Sequence, residues 1–157
     1  MADFTDTTAR TYNDLVTINE TAVKGYQEAA EGVTDPQIKS QLAQFSQQRA
    51  QFVAELGQHA SHLGIKAGAE TTLEGAATEV VAAAHRGWIN LKSAITGQND
   101  TAILGECENG DAMALKAYET ALQATDLPAD AKAIIQKQHS EILDAKNKIT
   151  QMKGQAS

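Results

Sequence analysis

The sequence predicts an all-α protein, a four-helix bundle made of two helical hairpins with one more helix in the long connection between them. Apolar residues recur at the 3.6-residue spacing of a helix through most of the 157 residues. Aromatic residues make up only 4% of the chain, so Ala, Leu, Ile and Val are expected to build the core. The chain has two prolines, which favours helix.

The first hairpin is predicted over residues 5–63, with a break after Gly32. Asp35 is placed to accept hydrogen bonds from the free backbone N–H groups at the start of the second helix, and Pro36 suits its first position. Gly64 is a natural residue to follow the end of that helix.

The connection between the hairpins, residues 64–98, is predicted to contain one helix over about 73–96. Trp88 lies on the apolar stripe of this helix, and we expect it to anchor the connection to the bundle. Gly87 costs about 1 kcal/mol relative to Ala inside a helix, so its presence indicates close packing.

The second hairpin is predicted over residues 100–154, within a single domain spanning residues 1–157. Asn99 or Asp100 is expected to cap its first helix, and Pro128 to begin its second helix.

An internal repeat relates the two hairpins. Lys24–Ala29 resembles Lys116–Ala121, and a proline follows ten residues after the tyrosine of each segment, at Pro36 and Pro128. The offset is 92 residues in both comparisons. Two hairpins joined by a long crossover have the connectivity of ferritin-like four-helix bundles, and the alternative is a five-helix domain of another topology.

One polar level interrupts the apolar stripe of each bundle helix. Asn19 and Asp111 are repeat-equivalent, since each precedes its tyrosine by seven residues. When each hairpin is folded about its turn, the polar positions come to about one height. We call this the central polar layer, and it comprises Asn19, Glu20, Gln48, Arg49, Asp111 and Glu141. We expect a buried or half-buried network in which Arg49 pairs with Asp111 or Glu141.

The competing hypothesis for this layer is a degenerate di-metal centre holding iron or manganese. Di-iron bundles take a Glu from each of two helices and a Glu-x-x-His pair from each of the other two. No histidine occupies those places here, and Arg49 brings a positive charge to the region. The candidate metal ligands are Glu20, Asp111, Glu141 and Asp144.

Two further groups of residues are candidates for binding. Glu55, His59 and His62 share one helical stripe at spacings that suit a divalent metal ion, and His85, Arg86 and Trp88 form a candidate binding group in the connection. The alternative for the two histidines of the stripe is a favourable interaction with the end of the helix dipole.

Other features limit the chemistry that we expect. Cys107, the single cysteine, stands between Glu106 and Glu108, whose charges raise a thiol pKa and disfavour a nucleophilic role. No phosphate-binding loop, Cys-x-x-Cys pair or catalytic triad is recognisable, so we expect no enzymatic activity.

Charge and hydropathy limit the partners and the location. The formal net charge of −7 disfavours nucleic acid and anionic membrane surfaces as partners. No apolar run approaches the ~20 residues of a transmembrane helix, and the first residues show no secretory signal, so we expect a cytoplasmic protein.

A further observation comes from seven segments of the chain: His85–Ala94, Ile103–Asp111 and Leu115–Tyr118, with Asn13–Leu15, Gly25–Tyr26, Ala29–Glu31 and Gln48–Ala50 in the first hairpin. These segments resemble a family of small bacterial four-helix-bundle proteins of unassigned function in the ferritin-like superfamily. The resemblance spans about residues 9–152. It implies a ferritin-like fold and a stress-associated bacterial protein, without an established reaction. The Glu-x-x-His motifs of ferritins and rubrerythrins are missing.

The sequence therefore favours a non-enzymatic, acidic helical bundle that forms a homo-oligomer or binds a protein partner. Exposed apolar residues in the connection are expected to mark the partner surface.

Overall fold

The computed structural model describes residues 2–64, 79–97, 99–124 and 127–156, and all secondary-structure elements in these ranges are helices. The prediction of an all-α protein is confirmed. The helices are α1 (Ala2–Gly32), α2 (Pro36–His62), α3 (Glu79–Arg86), α4 (Leu91–Thr96), α5 (Asp100–Leu122) and α6 (Ala129–Ala156). None of these helices is both long and apolar enough to cross a membrane.

The predicted helix ends at the first hairpin are confirmed. The Asp35 side chain accepts hydrogen bonds from the backbone N–H groups of Gln37 and Ile38, which have no partner inside α2. Gly64, just after α2, has a φ of +79°, a conformation that costs glycine little. Asn99 caps α5 through its side chain.

The long helices run up, down, down and up. Asn19 bonds to Tyr118 and Tyr26 bonds to Asp111, so residue numbers rise along α1 as they fall along α5. These two helices are therefore antiparallel. Because α1 with α2 and α5 with α6 are hairpins, the end of α2 and the start of α5 lie at opposite ends of the bundle.

The crossover between α2 and α5 departs from the prediction. A single helix was expected over 73–96; residues 73–78 lie outside the described part, and the rest forms α3 and α4 with a turn over 87–90. Gly87 at this turn approaches α5 so closely that a Cβ atom would lie 2.9 Å from the carbonyl oxygen of Asn109. The continuous helix is wrong here because a turn at Gly87 brings the chain against α5.

Apolar residues form two clusters, one towards each end of the bundle. In α1, Ile18 belongs to one cluster and Ala22 to the other, and Asn19 lies between them. In α2, Phe45 and Phe52 belong to different clusters and lie on either side of Arg49. The central polar layer therefore separates the two halves of the core.

Candidate functional site: the central polar layer

Arg49 and Asp111 form an ion pair in the middle of the bundle. Both side chains are 0% exposed, and Nη1 of Arg49 donates to Oδ1 of Asp111 at 2.9 Å. The Tyr26 hydroxyl donates to the other carboxylate oxygen, Oδ2, at 2.6 Å. The Arg49 guanidinium also lies 5.3 Å from the centre of the Tyr26 ring, and its Nε donates to Gln48 at 3.3 Å. Both oxygens of Asp111 are therefore bonded to protein donors.

Electrostatics in this pair follow from burial. Burial alone would lower the pKa of Arg49, but the adjacent Asp111 carboxylate outweighs it and raises that pKa above its ordinary value. Burial, and secondarily the charge of Asp111, raises the pKa of Tyr26 well above 10. Arg49 is therefore protonated and Tyr26 is a neutral donor at physiological pH.

A second chain of hydrogen bonds runs through the same layer. The Asn19 Nδ2 group donates to the Tyr118 oxygen at 2.7 Å, and the Tyr118 hydroxyl donates to Oε1 of Gln138 at 2.7 Å. Nε2 of Gln138 then donates to Glu55 at 3.0 Å. Asn19, Tyr118 and Gln138 are fully buried, whereas Glu55 lies near the surface of α2. This chain joins α1, α5, α6 and α2.

The two chains of hydrogen bonds reflect the internal repeat. The tyrosine of the first hairpin, Tyr26, bonds to Asp111 of the second, and the equivalent tyrosine, Tyr118, bonds to the equivalent residue, Asn19. Each hairpin thus supplies the phenol for the other hairpin. The exchange holds α1 against α5.

The predicted members of the layer fall into two groups. Asn19, Arg49 and Asp111 are buried together, and the half-buried Gln48 accepts from Arg49. Glu20 is exposed on α1, outside the network, and Glu141 is half-buried on α6. Of the two pairings left open for Arg49, the structure forms the one with Asp111.

The sequence prediction missed the roles of the two tyrosines, Gln138 and Glu55. Tyr26 and Tyr118 were not included in the predicted layer, although tyrosine hydroxyl groups need partners when buried. The repeat contained the signal, because each tyrosine keeps the same distance from a polar residue, Asn19 or Asp111. Nothing in the spacing placed Glu55 beside Gln138, since the two are 83 residues apart.

The four candidate di-metal ligands do not converge. Asp111 is buried, whereas Glu20 and Asp144 are exposed. Within the described part of the chain, no three His, Cys, Asp or Glu side chains come together in a way that could hold a metal ion.

Glu55, His59 and His62 line one cleft between α2 and α6, but two of the three side chains are already engaged. Glu55 accepts from Gln138 and lies 3.8 Å from Nζ of Lys137. Nδ1 of His59 is bonded to the hydroxyl of Tyr12 in α1. His62 is exposed at the end of α2.

The crossover group also separates. Trp88 points into the bundle, where its ring packs edge-on against Tyr26 with centroids 5.1 Å apart. It also lies over two glycines, so that a Cβ on Gly25 or Gly110 would come within 2.5 or 2.2 Å of the indole. Trp88 therefore anchors the crossover.

The other two members of the crossover group lie at the surface. Arg86 pairs with Glu79 at 3.3 Å, and Nδ1 of His85 lies 3.2 Å from the hydroxyl of Thr21. Because Trp88 is directed inwards, the three residues do not form one binding surface.

Cys107 is buried in α5, about one turn before Asp111. Burial raises the pKa of its thiol well above the ordinary value, and the charge of Asp111 adds to this shift. The flanking Glu106 and Glu108 act in the same direction but contribute less. The thiol is therefore protonated.

Comparison with the curated proteins finds no match for this chain. A family model, described as a domain of unknown function, does match, from α1 through α5 and the crossover. The match covers residues 7–124, which is most of the chain, so the protein belongs to this family, DUF2383.

Proposed function

We propose that this protein is a non-enzymatic, ferritin-like helical bundle that acts in a bacterial stress response by binding a second copy of itself through α2. The up, down, down, up order of the long helices, with the crossover on the α1 and α5 side, supports the ferritin-like topology. The engagement of both Asp111 oxygens by Arg49 and Tyr26 supports a structural role for the polar layer.

The observation that carries the proposal is the charge distribution on α2. Between Pro36 and Ser61, Lys39 is the single charged residue among the exposed positions, while Glu55, with a side chain 43% exposed, lines the cleft towards α6. The other exposed positions in this span carry Gln, Ala, Ser and Pro. By contrast, α1 exposes Glu20, Lys24, Glu28, Glu31 and Arg10. One long face of an otherwise charged molecule is therefore nearly neutral.

A neutral face is the part of this molecule best suited to self-association. Two copies, each with a formal charge of −7, repel one another, and protein interfaces are depleted of charge at their centres. The residues at positions 40, 43, 50, 54 and 61 are Ser or Ala, and they recur at a spacing that keeps them on one side of the helix. Small side chains let two helices approach closely.

The described part of the crossover does not provide a comparable surface. Ile89 is 71% exposed in the turn between α3 and α4, but it is the single large apolar residue exposed in the described part of the crossover. Isolated exposed apolar residues are common on monomeric proteins. We therefore place the partner surface on α2.

Multi-angle light scattering after size exclusion tests the self-association. We expect the mass to rise from the 16.7 kDa of one chain towards twice that value as concentration increases. Ala50→Glu on the neutral face should weaken the dimer at least about 10-fold, since it places two charges at the contact. Ala133→Glu, at an alanine on α6 that is also exposed, is the matched control. A monomer at every concentration, or equal effects of both variants, contradicts the proposal.

Metal analysis tests the non-enzymatic part. Protein purified from cells grown with added iron and manganese should contain neither metal in stoichiometric amount. Near-stoichiometric metal that is lost in Asp111→Asn would instead favour a redox centre in the polar layer.

A further inference from the structure

Among the described residues, three buried side-chain polar atoms have no hydrogen-bond partner. One is Thr8 Oγ1, near the start of α1, and the other two lie in the central polar layer. They are Nη2 of Arg49, a donor, and Oδ1 of Asn19, an acceptor. Both residues are 0% exposed. Leaving either group unsatisfied inside the protein is costly, and more so for the charged guanidinium. Their hydrogen-bonding needs are complementary.

The orientation of Asn19 is fixed by its neighbours. Its Nδ2 donates to the carbonyl oxygen of Leu15 and to the Tyr118 oxygen. Reversing the amide would turn Oδ1 towards the Leu15 carbonyl, where two acceptors would face each other. Tyr118 uses its own proton for Gln138, so it must accept from Asn19. The unpaired atom of Asn19 is therefore an acceptor.

Arg49 and Asn19 lie at the same level of the bundle. The Ser46 hydroxyl donates to the carbonyl oxygen of Val23, which sets the register of the antiparallel α1 and α2. Arg49 lies about one turn after Ser46, and Asn19 about one turn before Val23. Because α1 and α2 are antiparallel, one turn forward in α2 and one turn back in α1 lead towards the same end of the bundle. Arg49 and Asn19 therefore remain opposite each other.

We infer that buried water bridges Nη2 of Arg49 and Oδ1 of Asn19 and makes the polar layer one continuous hydrogen-bonded network. The site needs a ligand that accepts from a guanidinium and donates to an amide oxygen. A simple anion satisfies Arg49 but repels Asn19, and a cation is repelled by Arg49. Water does both, and buried water commonly fills such positions between polar groups.

The bridge would give the network one direction. Arg49 donates to water and water donates to Asn19. From there the donors continue through Tyr118 and Gln138 to the Glu55 carboxylate. The line then runs from the buried Asp111 pair to the cleft between α2 and α6. It contacts all four long helices.

A high-resolution crystal structure of the full chain tests this inference. We expect ordered water within hydrogen-bond distance of both Nη2 of Arg49 and Oδ1 of Asn19. A direct bond between these two atoms, an anion at the site, or an empty site would overturn it. Water-to-protein NOEs at the side-chain N–H groups of Arg49 test the same point in solution.

Variants add a second readout. Asn19→Leu removes the acceptor and should abolish the NOE from water to Arg49. Ser46→Ala is the matched control, because the Ser46 hydroxyl already has a direct partner in Val23, so the NOE should persist. If Asn19→Leu does not fold, the wild-type density and the wild-type NOE decide. Retention of the NOE in a folded Asn19 variant would contradict the bridge.

Discussion

At the scale of single residues, the ion pair of Arg49 and Asp111 places two opposite charges inside the apolar core. Removing a guanidinium and a carboxylate from water costs several kcal/mol each, and the close contact with Asp111 offsets that cost. Tyr26 and Gln48 supply further bonds. Such a pair contributes little net stability, but its loss on one side is expensive because the other charge stays buried.

Arg49→Met should therefore destabilise the fold by about 3 kcal/mol, since Asp111 is left without its counter-charge. Urea unfolding measures the change. Arg86→Met is the matched control, because Arg86 pairs with Glu79 at the surface, with side chains 61% and 76% exposed. We expect the control to lose less than about 1 kcal/mol. Equal effects of the two substitutions would contradict a compensated pair in the core.

All three tyrosines should resist ionisation in the folded protein. Burial, with a smaller contribution from Asp130, raises the pKa of Tyr12 to about 12, and burial raises the pKa of Tyr26 and Tyr118 as well. A folded pKa above the unfolded value of about 10 means that this stabilisation is complete below pH 10 and is lost as pH rises further.

Absorbance at 295 nm should accordingly show phenolate only above pH 10, together with loss of helical circular dichroism. A tyrosine that titrates near pH 10 while the helices remain intact would contradict this burial. Tyr12→Phe identifies the contribution of the tyrosine that bonds to His59.

At the scale of elements, the crossover shows how packing overrides helical periodicity. Its apolar pattern continues through Trp88, but the chain turns at Gly87 and places the indole between α1 and α5. The glycines at 25 and 110 leave room for the ring, and Tyr26 meets its edge. Burying a large aromatic surface outweighs the few helical hydrogen bonds lost at the turn.

Gly110→Ala should disturb this docking, because its Cβ would lie 2.2 Å from the indole. We expect destabilisation and a red-shifted tryptophan emission as Trp88 moves towards water. Gly105→Ala, in the same helix and with nothing within 4 Å of the added Cβ, is the control. It should be neutral or stabilising by about 0.5–1 kcal/mol, as expected for Gly to Ala in a helix. An unchanged emission spectrum in Gly110→Ala would contradict the packing described for Trp88.

At the scale of the whole molecule, the direction of α5 brings its first residue to the turn between α1 and α2. The two hairpins therefore contact each other at this end of the bundle. The first residue of α5, Asp100, accepts hydrogen bonds from the backbone N–H groups of Thr34 and Asp35 and from the Thr34 hydroxyl, in the turn between α1 and α2. Burial opposes ionisation of Asp100, but these hydrogen bonds outweigh it and lower its pKa. The carboxylate is therefore a contact between hairpins as well as part of a helix start.

Asp100→Asn should reduce stability at pH 7 and flatten its dependence on acid. Because the folded pKa lies below the unfolded value of 3.8, the contribution of Asp100 is present above that value and is lost as pH falls below it. Urea midpoints measured from pH 7 to pH 2.5 check this. Asp144→Asn, at an exposed position on α6, should change the profile less. Identical acid profiles for wild type and Asp100→Asn would contradict the contact.

Helix positions, caps and the repeat were predictable from sequence because they depend on local periodicity and on residues close in the chain. Asp35, Gly64 and Asn99 act at their own helix ends, where the chemistry of one side chain decides the outcome. The all-α class follows from the same local information. The sequence predicted only some of the polar residues that face inwards in the layer. The apolar stripe of a helix defines its buried face, but it does not define the hydrogen-bond partners on the other helices.

The tertiary structure decided the rest. The pairing of Arg49 with Asp111, the hydrogen bonds of Tyr118 and the turn at Gly87 depend on residues 20 to 99 positions apart, which helical periodicity does not relate. The sequence alone determined the four long helices and their polar interruptions. The antiparallel docking of α1 and α5 determined which interruptions meet, because a buried charge is stable only where the fold brings its counter-charge within reach.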